Sequence, residues 1–358
     1  MRMTGTARYA AIVCAAAAVA GCAGAPDGEV SEAVSSDPCE QEWRCGGNSP
    51  VVDAHGFHEL SLLEVPNEAG MMVHRSAGQA VINVRGRPYE LAIEDSQIVA
   101  RNGPLMLTGR ALLGAIIPLD GPRGASYELR IEAARLMPFP FPLGSVEPVA
   151  AYVLGWRSVT AAPTAFVNLC AHPPVDLLTL SAEQAFPELL GLAPTEAVVF
   201  AGDRIDGAAK TMSATPDPGW FNIGCAGHTI AKLHLTRNTI ASQHAADPRV
   251  LRDRRQATFK LLVADYCGTG RAFTVPGKPL QWKGDAGEPR DAFFAGVPLA
   301  GIEARWTASG ASCLSTPRLA TMAEIAAECE PPPPCAPADP DQLAGALRVS
   351  VDVASPPP

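Results

Sequence analysis

Tyr127-Glu128-Leu129-Arg130-Ile131-Glu132 sets a large apolar residue at every second position with a charged one between. Side chains of an extended chain point alternately to opposite faces, so this period of two predicts a strand with one face buried and one wet. The same signal recurs upstream. Ala80-Val81-Ile82-Asn83-Val84, Tyr89-Glu90-Leu91-Ala92-Ile93 and Leu105-Met106-Leu107-Thr108-Gly109 are short and rich in strand formers, with turn residues at Gly86, Asn102-Gly103 and Asp120-Gly121-Pro122. The 34 prolines and 32 glycines of the 358 residues limit long helices. The expected fold class is α+β and mainly β, with a short-strand β domain at 51–156 followed by a mixed, disulfide-braced domain at 157–319.

Helical signals lie in the second half. Asp247-Pro248 reads as an N-cap followed by proline at the first helical position, after which Val250, Arg254, Ala257 and Leu261 share one face as the helix runs into Leu262-Val263. A shorter helix after Cys225 is expected to turn Ile230 and Leu233 inward and Lys232 outward. Thr321, with Glu324 three residues on, starts a short helix through a capping box. Beyond it Glu330 to Pro340 and Ser355-Pro356-Pro357-Pro358 are Pro-rich, so 320–358 reads as a short helix and tail.

Ahead of the folded part, Arg2 and Arg8 flank the start of an apolar, alanine-rich run that ends Val19-Ala20-Gly21-Cys22. The run is too short to cross a bilayer, which takes about 20 apolar residues, and it reads as a signal peptide over 1–22. Its ending resembles the bacterial lipobox, in which the cysteine is acylated and becomes the first mature residue. An unlipidated secretory signal is the alternative. Ala23, standing where an aspartate would favour retention at the inner membrane, points to the outer membrane. The partner expected from this reading is the membrane, through lipid on Cys22, with the small, polar and acidic segment 23–50 as a tether. Cleavage removes Arg2 and Arg8 and no carboxylate, taking the 28 basic residues to 26 against 37 acidic ones, a net charge of −11. Nucleic acid is a poor partner for such a surface.

Eight cysteines remain after Cys14 and Cys22 are removed: Cys39, Cys45, Cys170, Cys225, Cys267, Cys313, Cys329 and Cys335. An even set in an exported chain reads as disulfides. Cys39 with Cys45 and Cys329 with Cys335 could each close a local loop, although the four prolines between the second pair favour an extended path that carries the sulfurs apart. Cys170, Cys225, Cys267 and Cys313 are then left for the main body.

Ala264-Asp265-Tyr266-Cys267-Gly268 resembles the signature of the ADYC-domain family, exported proteins of myxobacteria and other proteobacteria. Flanking words agree: Phe166-Val167-Asn168-Leu169-Cys170, Trp220-Phe221-Asn222-Ile223-Gly224-Cys225-Ala226-Gly227, and Ala304-Arg305-Trp306 with Ser312-Cys313. The resemblance covers about 152 to 319 and implies export and a cysteine-braced domain, leaving the activity open. Family members often carry a further cysteine pair where this chain has Leu233 and Gln256-Ala257-Thr258, and losing both together fits two positions that bridge each other. Because the body cysteines flank these shared words, Cys267 is expected to pair with Cys170, Cys225 or Cys313, and the other two with each other.

Cys267 beside Asp265, in a chain that also offers His228 and His234, has the residue types of a thiol nucleophile and its base. Nothing in the spacing fixes that geometry, and a structural disulfide is the preferred reading of Cys267. His55-Gly56-Phe57-His58 lacks a third ligand and His228 and His234 do not share a helical face, so no metal site is expected. Gly202-Asp203-Arg204-Ile205-Asp206-Gly207 lacks the alternating oxygen ligands of a calcium loop and reads as a turn. No phosphate loop or Gly-x-Ser-x-Gly elbow occurs, and no cofactor is expected. Two functions follow from different classes: a non-catalytic binding or structural lipoprotein of the cell envelope, which is favoured, and an extracytoplasmic enzyme using Cys267 or Asp265 with His228.

Overall fold

The computed structural model describes residues 44–47, 52, 56–140, 146–162, 165–170, 190–242, 248–275, 279–284, 302–336 and 348–352. The stretch read above as a signal peptide ending at Cys22, the stretch read as a tether as far as Cys39, and His55 lie outside these residues. Strands dominate, and among the described residues every strand pairing is antiparallel. The protein is mainly β with a few helices, as the alternation at Tyr127 predicts.

The large sheet runs in the order Glu59–Ser61, Asp217–Cys225, Ala197–Gly202, Pro148–Ser158, Ser126–Pro138, Ile116–Asp120, Gln79–Val84, Arg87–Glu94, Gln97–Asn102, Leu105–Leu107. Its last strands form a meander closed by tight turns. Arg85-Gly86 and Asp95-Ser96 all take positive φ (51°, 76°, 45° and 58°), the conformation whose twist matches two antiparallel strands joined by two residues. Gly86 announces its turn in the sequence, whereas Asp95-Ser96 contains no glycine. The strand expected at Leu105 to Gly109 ends at Leu107, and a 3-10 turn, Gly109–Leu112, follows.

In the strand Ser126–Pro138, Leu129 and Ile131 are buried while Glu132 is exposed. A bulge between Ile131 and Ala133 then reverses the parity, so that Met137 joins a different core from Leu129 and Ile131. One core fills the space enclosed as the sheet curls over itself and includes Ile82, Ile98, Leu129, Tyr152, Val199 and Ile223. Across it the amide of Ile98 donates to the Tyr152 hydroxyl at 2.9 Å. Burial pushes that phenol up to about 12, against the pull of the Ile98 bond.

The second core lies on the opposite face of the same strands. Val149, Ala151, Val198 and Phe200 face it, while their neighbours Ala150, Tyr152, Ala197 and Val199 face the first. These strands are therefore buried on both sides and read as continuous apolar runs, without the alternation that marks a half-exposed strand. Helices α1 (Thr229–Leu235) and α2 (Pro248–Val263) pack into this second core. Beyond α2 lies a five-stranded sheet in the order Arg44–Gly47, Pro279–Gly284, Arg348–Asp352, Ile302–Thr307, Gly310–Leu314. A short helix, α3 (Met322–Ala326), carries the expected capping box: the Glu324 amide donates to Thr321 Oγ1, and the Thr321 amide donates to Glu324 Oε2 at 2.6 Å.

Lys232 corrects the sequence reading. Expected to face solvent, it is 1% exposed, because every residue of α1 is buried between the large sheet and α2. The boundary expected between 156 and 157 falls inside the strand Pro148–Ser158, and each face of that strand packs into a core that also holds residues from downstream.

Candidate functional site

The four letters Ala264-Asp265-Tyr266-Cys267 follow the C-terminus of α2 without a break, and each makes a different connection. Helix α2 stops because Ala264 takes φ 53°, the left-handed conformation of a helix-ending residue. The amide of Asp265 then donates to Lys260 O (2.9 Å) and that of Ala264 to Leu261 O (3.2 Å), the bond pattern of a Schellman cap. Glycine usually fills this position. Here the Ala264 methyl is fully buried.

The reversal of the chain brings Asp265 back against its own helix. Lys260 Nζ donates to Asp265 Oδ2 at 2.6 Å, to Ala209 O at 3.0 Å and to Gly268 O at 3.4 Å, which uses all three ammonium protons. Asp265 Oδ2 also accepts from the Gly270 amide at 2.8 Å. Lys260 is 1% exposed and Asp265 wholly buried. This buried pair ties α2 to its own exit loop and to the turn Gly207–Lys210 of the neighbouring hairpin, Ile205–Asp206 with Thr211–Met212. Nearby, burial pulls Lys210 below its ordinary range, Asp265 opposing and Lys260 adding to the effect.

Tyr266 points toward the five-stranded sheet. Its hydroxyl donates to Glu303 Oε1 at 2.6 Å and accepts from the Arg318 amide at 3.1 Å. The Arg318 guanidinium donates to Glu303 Oε2 (2.8 Å) and to Leu261 O (2.8 Å), and the Tyr266 ring stacks on Trp306 at 5.3 Å. Burial raises the phenol far above its ordinary range, and the Glu303 carboxylate pushes the same way. Tyr266 is thus a fixed hydrogen-bond donor to a buried carboxylate that Arg318 compensates.

Cys267 is bonded to Cys329, with Cα atoms 5.8 Å apart, so the motif is fastened to the residues just after α3. Gly268 carries φ 72°, and a Cβ there would overlap the Ser309 carbonyl oxygen in the turn before Gly310–Leu314. The other bridges are Cys170–Cys225 and Cys313–Cys335. These pairings correct the expected scheme, in which Cys267 took a partner from Cys170, Cys225 or Cys313. The Pro-rich segment gives the reason. The amide of Leu314 donates to Pro333 O (2.9 Å) and that of Cys335 to Ser315 Oγ (3.2 Å), so the segment is laid along the strand containing Cys313. Its extended path moves Cys335 away from Cys329, leaving one cysteine beside Cys267 and the other beside Cys313.

A family model for the ADYC domain matches residues 109–320, more than half of the chain. The chain belongs to the ADYC-domain family. No curated protein and no solved structure matches it. The match to the ADYC domain starts at 109, well before the 152 read from the shared words, and so takes in the strand Ser126–Pro138 and its bulge. Leu233 of α1 and Ala257 of α2 are both fully buried in the second core.

The structure does not join the expected catalytic set by hydrogen bonds. His228 is the N-cap residue of α1, three residues after Cys225, and is 2% exposed. Neither Asp265 nor Cys267 hydrogen-bonds to it: Asp265 is taken by Lys260 and Gly270, and Cys267 by Cys329. His234 stacks on Phe200 at 4.5 Å and bonds Thr239 Oγ1 at 2.8 Å. Among the described residues no three metal-ligating side chains cluster. The sequence reading missed Lys260, the counter-charge of Asp265, and Glu303 with Arg318, the buried ion pair to which Tyr266 bonds. Lys260 carried one legible signal, a lone cation entering the apolar run Leu261-Leu262-Val263.

Proposed function

We propose that this ADYC-domain chain is an exported lipoprotein, held at the cell envelope by lipid on Cys22, whose folded body is a non-catalytic binding or structural module. The observation that carries this reading is the use of the signature itself. Cys267 is spent on a disulfide, Asp265 on a buried lysine and Tyr266 on a buried carboxylate, so the residues that name the family hold α2, α3 and the five-stranded sheet together. A cysteine nucleophile needs a thiolate, and the sulfur of Cys267 is taken up in the bond to Cys329. Three disulfides support an oxidising compartment. The lipobox-like Val19-Ala20-Gly21-Cys22 supports lipid anchoring, Ala23 favours the outer membrane, and the acidic balance disfavours nucleic acid as a partner.

Two measurements on protein extracted from membranes test the proposal. Intact mass should show a mature chain that begins at Cys22 and carries diacylglycerol, and Cys22→Ala should abolish both the lipid mass and the cleavage while Cys14→Ala changes neither. Thiol titration of the native protein should find no free sulfhydryl. An unacylated N-terminus after Ala25, or a reactive thiol at Cys267, would defeat the reading.

A further inference from the structure

The hairpin tied down by Lys260 forms one wall of a polar cleft of about 300 Å³, the lower end of the size range of small-molecule sites. Gln256 of α2 braces the same wall, accepting from the Met212 amide and donating to Lys210 O, both at 2.8 Å. The wall therefore rests on the family signature. Charged side chains of both signs face the cleft: Arg204 with Glu59, and Glu68 with Asp206.

Arg204 is held from three sides. Its Nε donates to Glu59 Oε1 at 3.1 Å, its guanidinium lies 3.6 Å from the centroid of the buried Trp220 ring, and its backbone is paired with Ser213 through Ser213 Oγ (3.0 Å) and the Ser213 amide (2.8 Å). Glu59 is fixed in turn, since the same Oε1 accepts from the Ile205 amide at 2.8 Å and the residue is 3% exposed. These contacts leave the two terminal nitrogens of Arg204 without a hydrogen bond to any described residue, and its side chain is 41% exposed. A flat guanidinium with a free, pre-oriented edge is the partner that a carboxylate engages with both oxygens.

The other charged residues of the lining have the opposite sign. Glu68 is exposed and makes no ion pair or hydrogen bond with the described residues. Asp206 places its bonds, to the Ala208 and Ala209 amides, on Oδ1 alone. A simple anion at Arg204 would face Glu68 and Asp206, and a simple cation at those carboxylates would face Arg204. A ligand carrying both charges a few bonds apart satisfies both, and the hydroxyls of Thr211 and Ser213 lie in the same cleft.

We infer that this cleft binds a small zwitterion, a free amino acid, with its carboxylate on Arg204 and its ammonium between Glu68 and Asp206. The inference deepens the non-catalytic binding reading and rests on it. Full-length mature protein in its oxidised state should be titrated calorimetrically with glycine, L-alanine, L-glutamine and L-lysine, with acetate and methylammonium as the two half-ligands. At least one amino acid should bind with a Kd of about 1 mM or tighter, at least about tenfold tighter than either half-ligand. Glu68→Gln, which removes a charge that holds nothing in the fold, should weaken binding about tenfold with Tm unchanged. Arg204→Lys keeps the charge but loses the planar fork and should weaken binding as well. No saturable binding of any of the four, equal affinity for acetate or methylammonium, or an unaltered affinity in Glu68→Gln overturns the inference. Such a failure, with the lipid mass and the absent thiol still standing, leaves the module reading intact. Recovery of the bound amino acid in chemically altered form would instead defeat the non-catalytic reading.

Discussion

Lys260 and Asp265, five residues apart in sequence, meet at 2.6 Å across the end of α2 with both side chains buried. A buried ion pair adds little over an apolar pair of the same volume, because desolvating two charges offsets their attraction; breaking it costs about 3–5 kcal/mol, since the remaining charge keeps the desolvation cost without the compensation. Asp265→Asn is therefore expected to destabilise the protein by several kcal/mol, and Lys260→Met/Asp265→Leu by less than either single change. Denaturant unfolding of the oxidised chain measures both. A single Asp265→Asn within about 0.5 kcal/mol of wild type would show that the pair does not hold the loop.

Tyr266 makes a comparable claim with a neutral group. Its hydroxyl is both donor to Glu303 and acceptor for the Arg318 amide. Tyr266→Phe keeps the stacking on Trp306 but leaves a buried carboxylate oxygen and a buried amide each short of one partner, at a cost of about 1–3 kcal/mol. Glu303→Gln keeps an acceptor for Tyr266 but strips the counter-charge from Arg318, which is 5% exposed, and is expected to cost more. Equal stability of Tyr266→Phe and wild type in the same unfolding assay would refute the role given to the hydroxyl.

How much of this was legible depends on whether each signal is local. The alternation at Tyr127 to Glu132, the turn at Gly86 and the capping box at Thr321 are set by neighbours in the chain, and all three appear where the sequence puts them. The strands Ala197–Gly202 and Pro148–Ser158, buried on both faces, carry no periodicity from which to tell strand from helix. Lys232 misled for a related reason: a lysine marks a solvated face only when the helix has one, and α1 has none. The partners of Asp265 and Tyr266 split along the same line. Lys260 is one helical turn and a loop away and could have been suspected, whereas Glu303 and Arg318 arrive from strands and loops about 40 to 50 residues downstream, which no local pattern encodes.

The disulfides separate by the chain they close. Peptide mapping without reduction should recover Cys170–Cys225, Cys267–Cys329 and Cys313–Cys335 as the linked peptides, and any peptide joining Cys267 to Cys313 would contradict the fold. Loop closure over 62 residues at Cys267–Cys329 restricts the unfolded chain by about 4 kcal/mol, against about 3 kcal/mol for the 22 residues at Cys313–Cys335. Cys267→Ser/Cys329→Ser should accordingly lower stability more than Cys313→Ser/Cys335→Ser. The first change also frees the signature loop from α3, so thermal unfolding by near-UV dichroism, which follows Trp306 and Tyr266, should register it early.

Two buried groups in the second half give stability opposite responses to acid. His234, stacked on Phe200, is pushed from 6.5 down to about 3 by burial, with Arg237 adding to the effect and Glu147 opposing it. The unfolded chain takes up this proton first, so the contribution of neutral His234 is whole above pH 6.5 and is lost as pH falls from 6.5 toward 3. Burial raises Asp203 from 3.8 to about 6, against the pull of Arg255 and the Ile240 amide. Here the folded state takes up the proton first, so stability is gained as pH falls from 6 to 3.8 and is lost again as pH rises through 6. Each term changes stability by up to about 1.4 kcal/mol per pH unit within its window, and the two oppose each other where the windows overlap. Wild type should therefore gain on Asp203→Asn as pH falls from 6 to 3.8 and lose ground to His234→Gln from 6.5 downward. Differences in unfolding free energy across pH 3.5 to 7.5 isolate each group from the surface carboxylates that all three proteins share, and a flat difference profile for either variant would remove that group from the acid response.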